Sequence, residues 1–272
     1  MTVFMPTTLA EALEIRRDQD ATPMAGGTDL LVHWPEQLTT HDRDYLDLWG
    51  IDELRRIEWS DDSLELGALA TYWDVITNAK IGAVFPLLTD AARQIGAVQI
   101  QSRGTWAGNI ANGSPAADGV PVLMAYGASV VVTSRDKQRQ VPLERFYSGY
   151  KEMDLAPDEL IVAIRIPNRT YRFERFIKVG SRRAQAIAKV GAAIVSNDSG
   201  WRIVASSVAP TIRRCPTIEA RISDDEPLCS PDDLLPAIQT DVSPIDDLRS
   251  TARYRERVMS RILYYAIEEM SH

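Results

Sequence analysis

Apolar positions along this chain change their period several times, and each change marks an element. Leu9, Ala12 and Leu13 share one helical face behind Thr8, and Glu11, three residues after Thr8, completes a capping-box pattern. The spacing predicts a helix ending near Arg17. Thr22 to Met24 leads into the Gly26-Gly27 pair, which predicts a strand, a tight turn and a further short element from Leu30. Tyr45-Leu46-Asp47-Leu48 and Leu64-Glu65-Leu66-Gly67 alternate as half-buried strands do. Thr71 with Asp74 signals another capped helix, Pro86 suits a first helical turn, and Leu87, Leu88, Ala91, Ala92 and Ile95 supply an apolar face.

Val120 to Ala125 predicts a helix that stops at Gly127, while Ser129 to Thr133 and Glu159 to Ile166 read as buried strands. Pro167-Asn168 punctuates the chain and places a domain boundary between Ile166 and Phe173. Beyond it, Phe173 to Val179, Val190 to Ser196 and Trp201 to Ala209 predict three strands, the last two joined by the hairpin signal Asn197 to Gly200. Two helices follow. Ser230-Pro231-Asp232-Asp233 is a capped start, and Val258, Ile262, Leu263, Ala266, Ile267 and Met270 recur at helical spacing. The fold class is therefore α+β, without internal repeats.

Composition narrows the function. The chain has 272 residues, 45% apolar and 25% charged, which excludes a disordered, collagenous or disulfide-scaffold protein. Its 30 basic and 38 acidic side chains leave a net charge of −8, unsuited to a sequence-independent grip on nucleic acid. Cys215 and Cys229 are too few for a four-cysteine zinc site or an iron–sulfur cluster and are expected to be reduced structural thiols. The start of the chain lacks a leader pattern, and no run reaches the ~18 apolar residues of a membrane span, so a cytoplasmic location is expected. His33, His41 and His272 are scattered, and no nucleophile–base pair or nucleotide-binding glycine signature is present.

What remains is glycine-lined backbone. Gly26-Gly27-Thr28 can present consecutive N–H groups to a phosphate, although a Gly-Gly pair by itself is most often only a turn. Gln99 to Asp118 is almost uncharged and rich in Gly, Asn, Ser and Ala. It adds the Thr105 hydroxyl and the Asn109 and Asn112 amides, and such a long stretch is uncommon as a mere connector. Two such loops would suit one diphosphate held from two sides, with Asp118 accepting hydrogen bonds from sugar or ribityl hydroxyls.

At these loops the sequence resembles the flavin-binding medium subunit of molybdenum hydroxylases, the family of carbon monoxide dehydrogenase and xanthine dehydrogenase. Met24-Ala25-Gly26-Gly27-Thr28-Asp29-Leu30 is similar to its first loop, A-G-G-x-[DS]-L. Arg103 to Asp118 is similar to its second, R-x-T-I-G-G-N-x-x-x-x-S-P-x-x-D, with Thr105, Trp106, Ala107, Gly108, Asn109, Ser114 and Asp118 at the motif positions. The likeness continues through Leu155 to Ile161, Lys178 to Arg183, Ile187 to Val190 and Pro244 to Arg255.

The resemblance implies a two-part FAD-binding domain of the vanillyl-alcohol-oxidase type, residues 1–58 and 59–168. It is followed by a C-terminal flavoprotein domain, residues 169–272, with a three-stranded antiparallel sheet and helices. It also implies that Met24 to Leu30 and Thr105 to Asn109 hold the FAD diphosphate and Asp118 the sugar-alcohol chain. Ile161 would pack on the ring system, and Lys178 would lie at the flavin's polar edge, where a cation favours the anionic reduced form. No histidine follows Gly27, so FAD would be non-covalent. Electrons would come from the [2Fe-2S] clusters of a small partner subunit, after oxidation of substrate at molybdopterin in a large one, and pass to an external acceptor such as NAD, a quinone or dioxygen. Departures from the motif are Trp106 and Ala107, which replace an aliphatic residue and a glycine; Ala107 matters if that glycine is left-handed. A free-standing FAD-dependent oxidase or reductase, or a FAD-free interaction protein, are the alternatives. The basic residues Arg165, Arg169, Arg172, Arg175, Lys178, Arg182 and Arg183 read mainly as a solvated, charge-paired face; the sharper reading gives Lys178 to the flavin and some of the arginines to an acidic partner surface or acceptor.

Overall fold

The computed structural model describes residues 1–32, 43–224 and 227–269, so His33, His41, His272 and Met270 lie outside the described residues. The chain begins with β1 (Val3–Phe4), α1 (Leu9–Asp18), β2 (Ala21–Met24) and β3 (Asp44–Asp47). These strands form an all-parallel sheet in the order β1-β3-β2. Thr8 caps α1 by accepting the Glu11 N–H at 3.2 Å, while the Glu11 carboxylate reaches back one residue further than a capping box, to the Thr7 N–H. Ala12 and Leu13 are the buried face.

A five-stranded antiparallel sheet follows, in the order β4 (Ile57–Trp59), β5 (Ser63–Gly67), β10 (Leu160–Pro167), β6 (Ser129–Thr133), β7 (Gln138–Pro142); a small hairpin of β8 (Tyr147–Gly149) and β9 (Glu152–Met153) lies beside it. Strand β10 is central and reads almost wholly apolar, as a strand covered on both faces should. Between β5 and β6 the chain forms α2 (Tyr72–Thr77), α3 (Ala79–Val84), α4 (Pro86–Gln94), α5 (Val98–Gln101), α6 (Trp106–Asn112) and α7 (Gly119–Ala125). Gln99 to Asp118, glycine-rich loop by composition, is thus about half helical. Thr105 caps α6 by accepting the Gly108 N–H at 3.0 Å, and left-handed Gly113 ends it.

The C-terminal sheet was expected to have three strands and has four. Strands β11 (Phe173–Val179), β12 (Val190–Asn197) and β13 (Gly200–Ser206) are joined by β14 (Arg213–Arg214). Two consecutive arginines carry no strand pattern; pairing with Val204 and Ala205 makes them a strand. Strand β13 stops three residues before the expected Ala209 because Ser207 turns left-handed at φ 64°. Helices α8 (Pro216–Ser223), α9 (Leu235–Asp241) and α10 (Ala252–Glu268) complete this region, α8 being one that the apolar pattern did not announce.

Strand β12 explains how the parts join. Ala193 and Val195 face the core shared with the first two sheets, while Val190, Ala192 and Ile194 face a second core built with Ile218, Ile238, Met259 and Leu263. Alternation with period two makes the sheet a layer buried on both sides. Leu263 is fully buried in the second core. Leu263→Ala should therefore cost about 2–5 kcal/mol in urea unfolding; a loss below about 0.5 kcal/mol would place this side chain outside a packed core.

Candidate functional site

The first glycine loop leaves the end of β2, where the Met24 carbonyl accepts the Leu48 N–H from beyond β3 at 2.9 Å. Ala25 and buried Gly26 follow, then Gly27 with φ 71°, and the chain begins a helical turn in which the Leu31 N–H donates to the Gly27 carbonyl. A Cβ on Gly26 would lie 1.7 Å from the Arg103 carbonyl oxygen. Only glycine permits this contact, and it seats the first loop against the turn that opens the second. Among the described residues, the N–H groups of Gly26, Gly27, Thr28 and Asp29 find no acceptor, leaving a row of free donors around a left-handed residue, the arrangement of an anion nest.

The second loop contributes the start of α6. The Trp106 N–H is taken by the Ala70 carbonyl and that of Gly108 by the Thr105 hydroxyl. Ala107 sits within the helix and is not left-handed, so its missing glycine has no backbone consequence. The Trp106 ring is fully buried, edge-on to Tyr72 at 5.3 Å between centroids. It belongs to the core, and its indole N–H has no partner. Farther along, Asn112 donates to Asp29 at 3.1 Å, a second tie between the loops, and Asn109 accepts the Gly119 N–H at 3.2 Å, fastening the start of α7 to α6. Ser114 turns the connecting segment by accepting the Ala116 N–H.

Asp118 and Lys178, which the resemblance assigns to different parts of one cofactor, meet directly. Lys178 Nζ donates to Asp118 Oδ2 at 2.6 Å and to the Gln94 carbonyl at 2.9 Å. Both side chains are nearly enclosed, 12% and 7% exposed. Burial pushes the Asp118 carboxyl up to about 6 against the lowering pull of Lys178. Asp118 Oδ1 is buried without a partner, and an ammonium has a third proton to give. One acceptor and one donor thus remain side by side. Ile161, on β10 at a bulge opposite β6, is 8% exposed and offers an apolar edge rather than a broad surface.

The basic cluster is mostly paired. Arg165 meets Glu65 at 2.7 Å, Arg172 meets Asp198, Arg175 meets Glu269, and Arg182 donates to the Gln185 carbonyl. Sequence reasoning missed Trp49, whose ring carries the guanidinium groups of Arg55 and Arg103 at 4.3 and 3.8 Å and so steadies the residue that Gly26 touches. It also missed Tyr72, whose ring lies 2.8 Å from where a Gly104 Cβ would stand. Neither carries a local signal, because each is defined by a partner distant in the chain.

Residues 1–169 match the family described as "FAD binding domain in molybdopterin dehydrogenase", and residues 175–270 match "CO dehydrogenase flavoprotein C-terminal domain". The chain is 29% identical to the xanthine dehydrogenase FAD-binding subunit of Escherichia coli O157:H7, over 96% of this chain and 93% of that one. It is 27% identical to the carbon monoxide dehydrogenase medium chain of Afipia carboxidovorans, over 97% and 94%. A chain of carbon monoxide dehydrogenase from Hydrogenophaga pseudoflava, solved without the Mo-pyranopterin moiety of its molybdenum cofactor, matches with a TM-score of 0.89 and 27% identity, covering 98% of this chain and 96% of that chain.

Two outcomes follow from this geometry. Gly26→Ala should destabilise by at least the ~1–3 kcal/mol typical of overpacking, since the obstructing atom is backbone and cannot rotate away; an unchanged thermal midpoint would contradict the contact. For Asp118 the folded carboxyl lies above its unfolded value of 3.8, so its contribution is fully present below that pH and is lost as pH rises to about 6. Urea midpoints measured across this window should fall with rising pH in the native chain, and Asp118→Asn should remove that part of the slope.

Proposed function

The chain belongs to the family of FAD-binding medium subunits of molybdopterin dehydrogenases, and from that premise we propose that it carries electrons through non-covalently bound FAD to an external acceptor. The single observation that carries the reading is the unpartnered, buried Asp118 Oδ1 beside Lys178, on the segment that leaves the second of two interlocked glycine loops. A buried carboxylate oxygen without a hydrogen bond is costly, and a polyol hydroxyl is the kind of donor it lacks. The N–H groups of Gly26 to Asp29, without acceptors among the described residues, suit a diphosphate in the same way.

On this reading Met24 to Leu30 and Thr105 to Asn109 hold the diphosphate, the second segment through Thr105 and Ala107, because the N–H groups of Trp106, Gly108 and Asn109 already have acceptors within the chain; the Trp106 side chain serves the core instead. Ser114 shapes the segment that delivers Asp118 to the sugar-alcohol chain. Ile161 closes an apolar edge, and Lys178 supplies a positive charge at the flavin. FAD, when bound, supplies the redox chemistry by taking up and releasing electrons singly or in pairs. This chain's own residues bind it, orient it and set the local field, so no catalytic acid or base is expected. The division into 1–58, 59–168 and 169–272 belongs to the same proposal; the three larger sheets fall one to each part, except that β4 crosses the first boundary.

The partners proposed are a small subunit with [2Fe-2S] clusters, which delivers electrons, and a large subunit with molybdopterin, where substrate is oxidised. Two cysteines, one buried and one exposed and both free, leave this chain without thiolates for a cluster of its own. Among the described residues no helix is long and apolar enough to cross a membrane. The reduced cysteines suit a cytoplasmic location, and the acidic balance gives nucleic acid no place among the partners.

The full-length chain, purified and titrated with FAD, should quench flavin fluorescence at one site and retain a yellow chromophore that releases FAD on denaturation. Asp118→Ala should weaken FAD by about tenfold or more, the loss expected for a hydrogen bond to a charged group. A native chain that neither holds nor takes up FAD would sink the proposal, and unchanged affinity in the variant would remove Asp118 from the site.

A further inference from the structure

The turn and helix start at Pro244 to Arg255 lie outside both glycine loops, yet they end in a buried cation. Arg255 is 4% exposed; one terminal nitrogen donates to the Lys189 carbonyl at 2.9 Å and to the Ser207 carbonyl at 2.6 Å, and the other to Asp247 at 2.8 Å. Asp247 is itself held by the N–H groups of Arg249 and Ser250. Burying a guanidinium is unfavourable unless its donors are used; here the terminal nitrogens reach Asp247 and two main-chain carbonyls flanking β12 and β13, while the Nε–H is buried without a partner.

Ser207 is the more telling partner. It follows β13 with φ 64°, a left-handed conformation that a residue with a Cβ seldom adopts, and it is buried. Such a conformation persists where the surroundings over-determine it. Three bonds do so: its carbonyl accepts from Arg255, its hydroxyl donates to the Ala188 carbonyl at 2.9 Å, and its N–H donates to the Pro115 carbonyl at 2.7 Å. Pro115 lies on the connection from α6 to α7, three residues before Asp118. Apart from Asp118, which meets Lys178 of β11, the rest of that connection is tied to its own neighbourhood, through Ser114 with Ala116 and Ala117 and through Asn109 with Gly119. Its middle is held from the C-terminal region by Ser207.

We propose that Arg255 and Ser207 are positioning residues for the cofactor site: through the Pro115 carbonyl they hold the Ser114–Asp118 segment so that Asp118 faces Lys178. The proposal rests on the reading that Asp118 contacts FAD, and it gives the Pro244–Arg255 stretch a task at a site it does not touch. The strain at Ser207 is then the means by which one N–H is aimed at one carbonyl.

The test uses the full-length chain, with FAD affinity read from flavin fluorescence and folding from circular dichroism. Arg255→Met, similar in length but without donors, should weaken FAD by about tenfold, whereas Arg255→Lys, which can still donate to both carbonyls, should stay within about threefold. Leu263→Ala, in the same region but remote from this chain of bonds, should lower thermal stability and leave affinity within about twofold. A folded Arg255→Met chain with native affinity overturns the proposal, as does a loss in Leu263→Ala equal to that in Arg255→Met. Should Arg255→Met fail to fold, Asp247→Asn takes its place, with a smaller loss of about threefold expected. A readout without FAD separates this proposal from the cofactor reading. Asp118 faces Lys178 of β11 and Tyr72 of α2, and the part of the stability–pH slope that Asp118→Asn removes should shrink in Arg255→Met. If the native chain takes no FAD, the cofactor reading falls while that slope still decides the brace; an unchanged slope overturns it.

Discussion

The contact between the Gly26 backbone and the Arg103 carbonyl is the constraint on which the site depends, because it leaves no room for any side chain. It joins a parallel sheet built from the first residues to a helical connection inserted in an antiparallel sheet. Around it the second loop is pinned by Thr105 at the start of α6, by Asn112 to Asp29, and by the stacking of Arg103 on Trp49. Main chain packed on main chain transmits position with little slack. It also leaves the neighbouring N–H groups of Gly26 to Asp29 without an acceptor among the described residues rather than used up in secondary structure.

Electrostatics adds a second junction. The Asp118–Lys178 pair ties α7 to β11 and is nearly closed to solvent. In that setting neither charge is comfortable alone, and the carboxyl is pushed up toward neutrality by burial. The free Oδ1 and the third ammonium proton make the pair an incomplete hydrogen-bond network, which is the condition under which a polar ligand gains most from binding. A C-terminal sheet buried on both faces puts Lys178 there, since β11 must pack on the core of the first region as well as against its own helices.

Much of the candidate site was legible because it depends on residue type more than on distance. Gly26 and Gly27 announce a backbone that must be approached closely or turned left, and Thr105 with Gly113 bounds a short helix once the buried side of Trp106, Ala107 and Ile110 is known. What composition suggested was a loop contains α6 and the end of α5, because a small-residue helix and a small-residue loop look alike in one dimension. The worry attached to Ala107 dissolves for the same reason: its place is helical, where alanine is at ease. The fourth strand of the C-terminal sheet was not legible, since Arg213–Arg214 becomes a strand only through its neighbour β13.

By itself the sequence determined the elements whose periodicity is long, the two glycine loops, the lack of thiolates for a cluster, and through its motifs the family. Those properties reside in residue chemistry and local spacing, which no fold is needed to read. Only the tertiary structure decided that Trp106 turns into the core, that Asp118 pairs with Lys178, that Trp49 supports Arg103, and that a strained Ser207 grips Pro115. Each of these joins residues far apart in the chain, and their meeting is set by how the sheets pack rather than by any pattern within one segment.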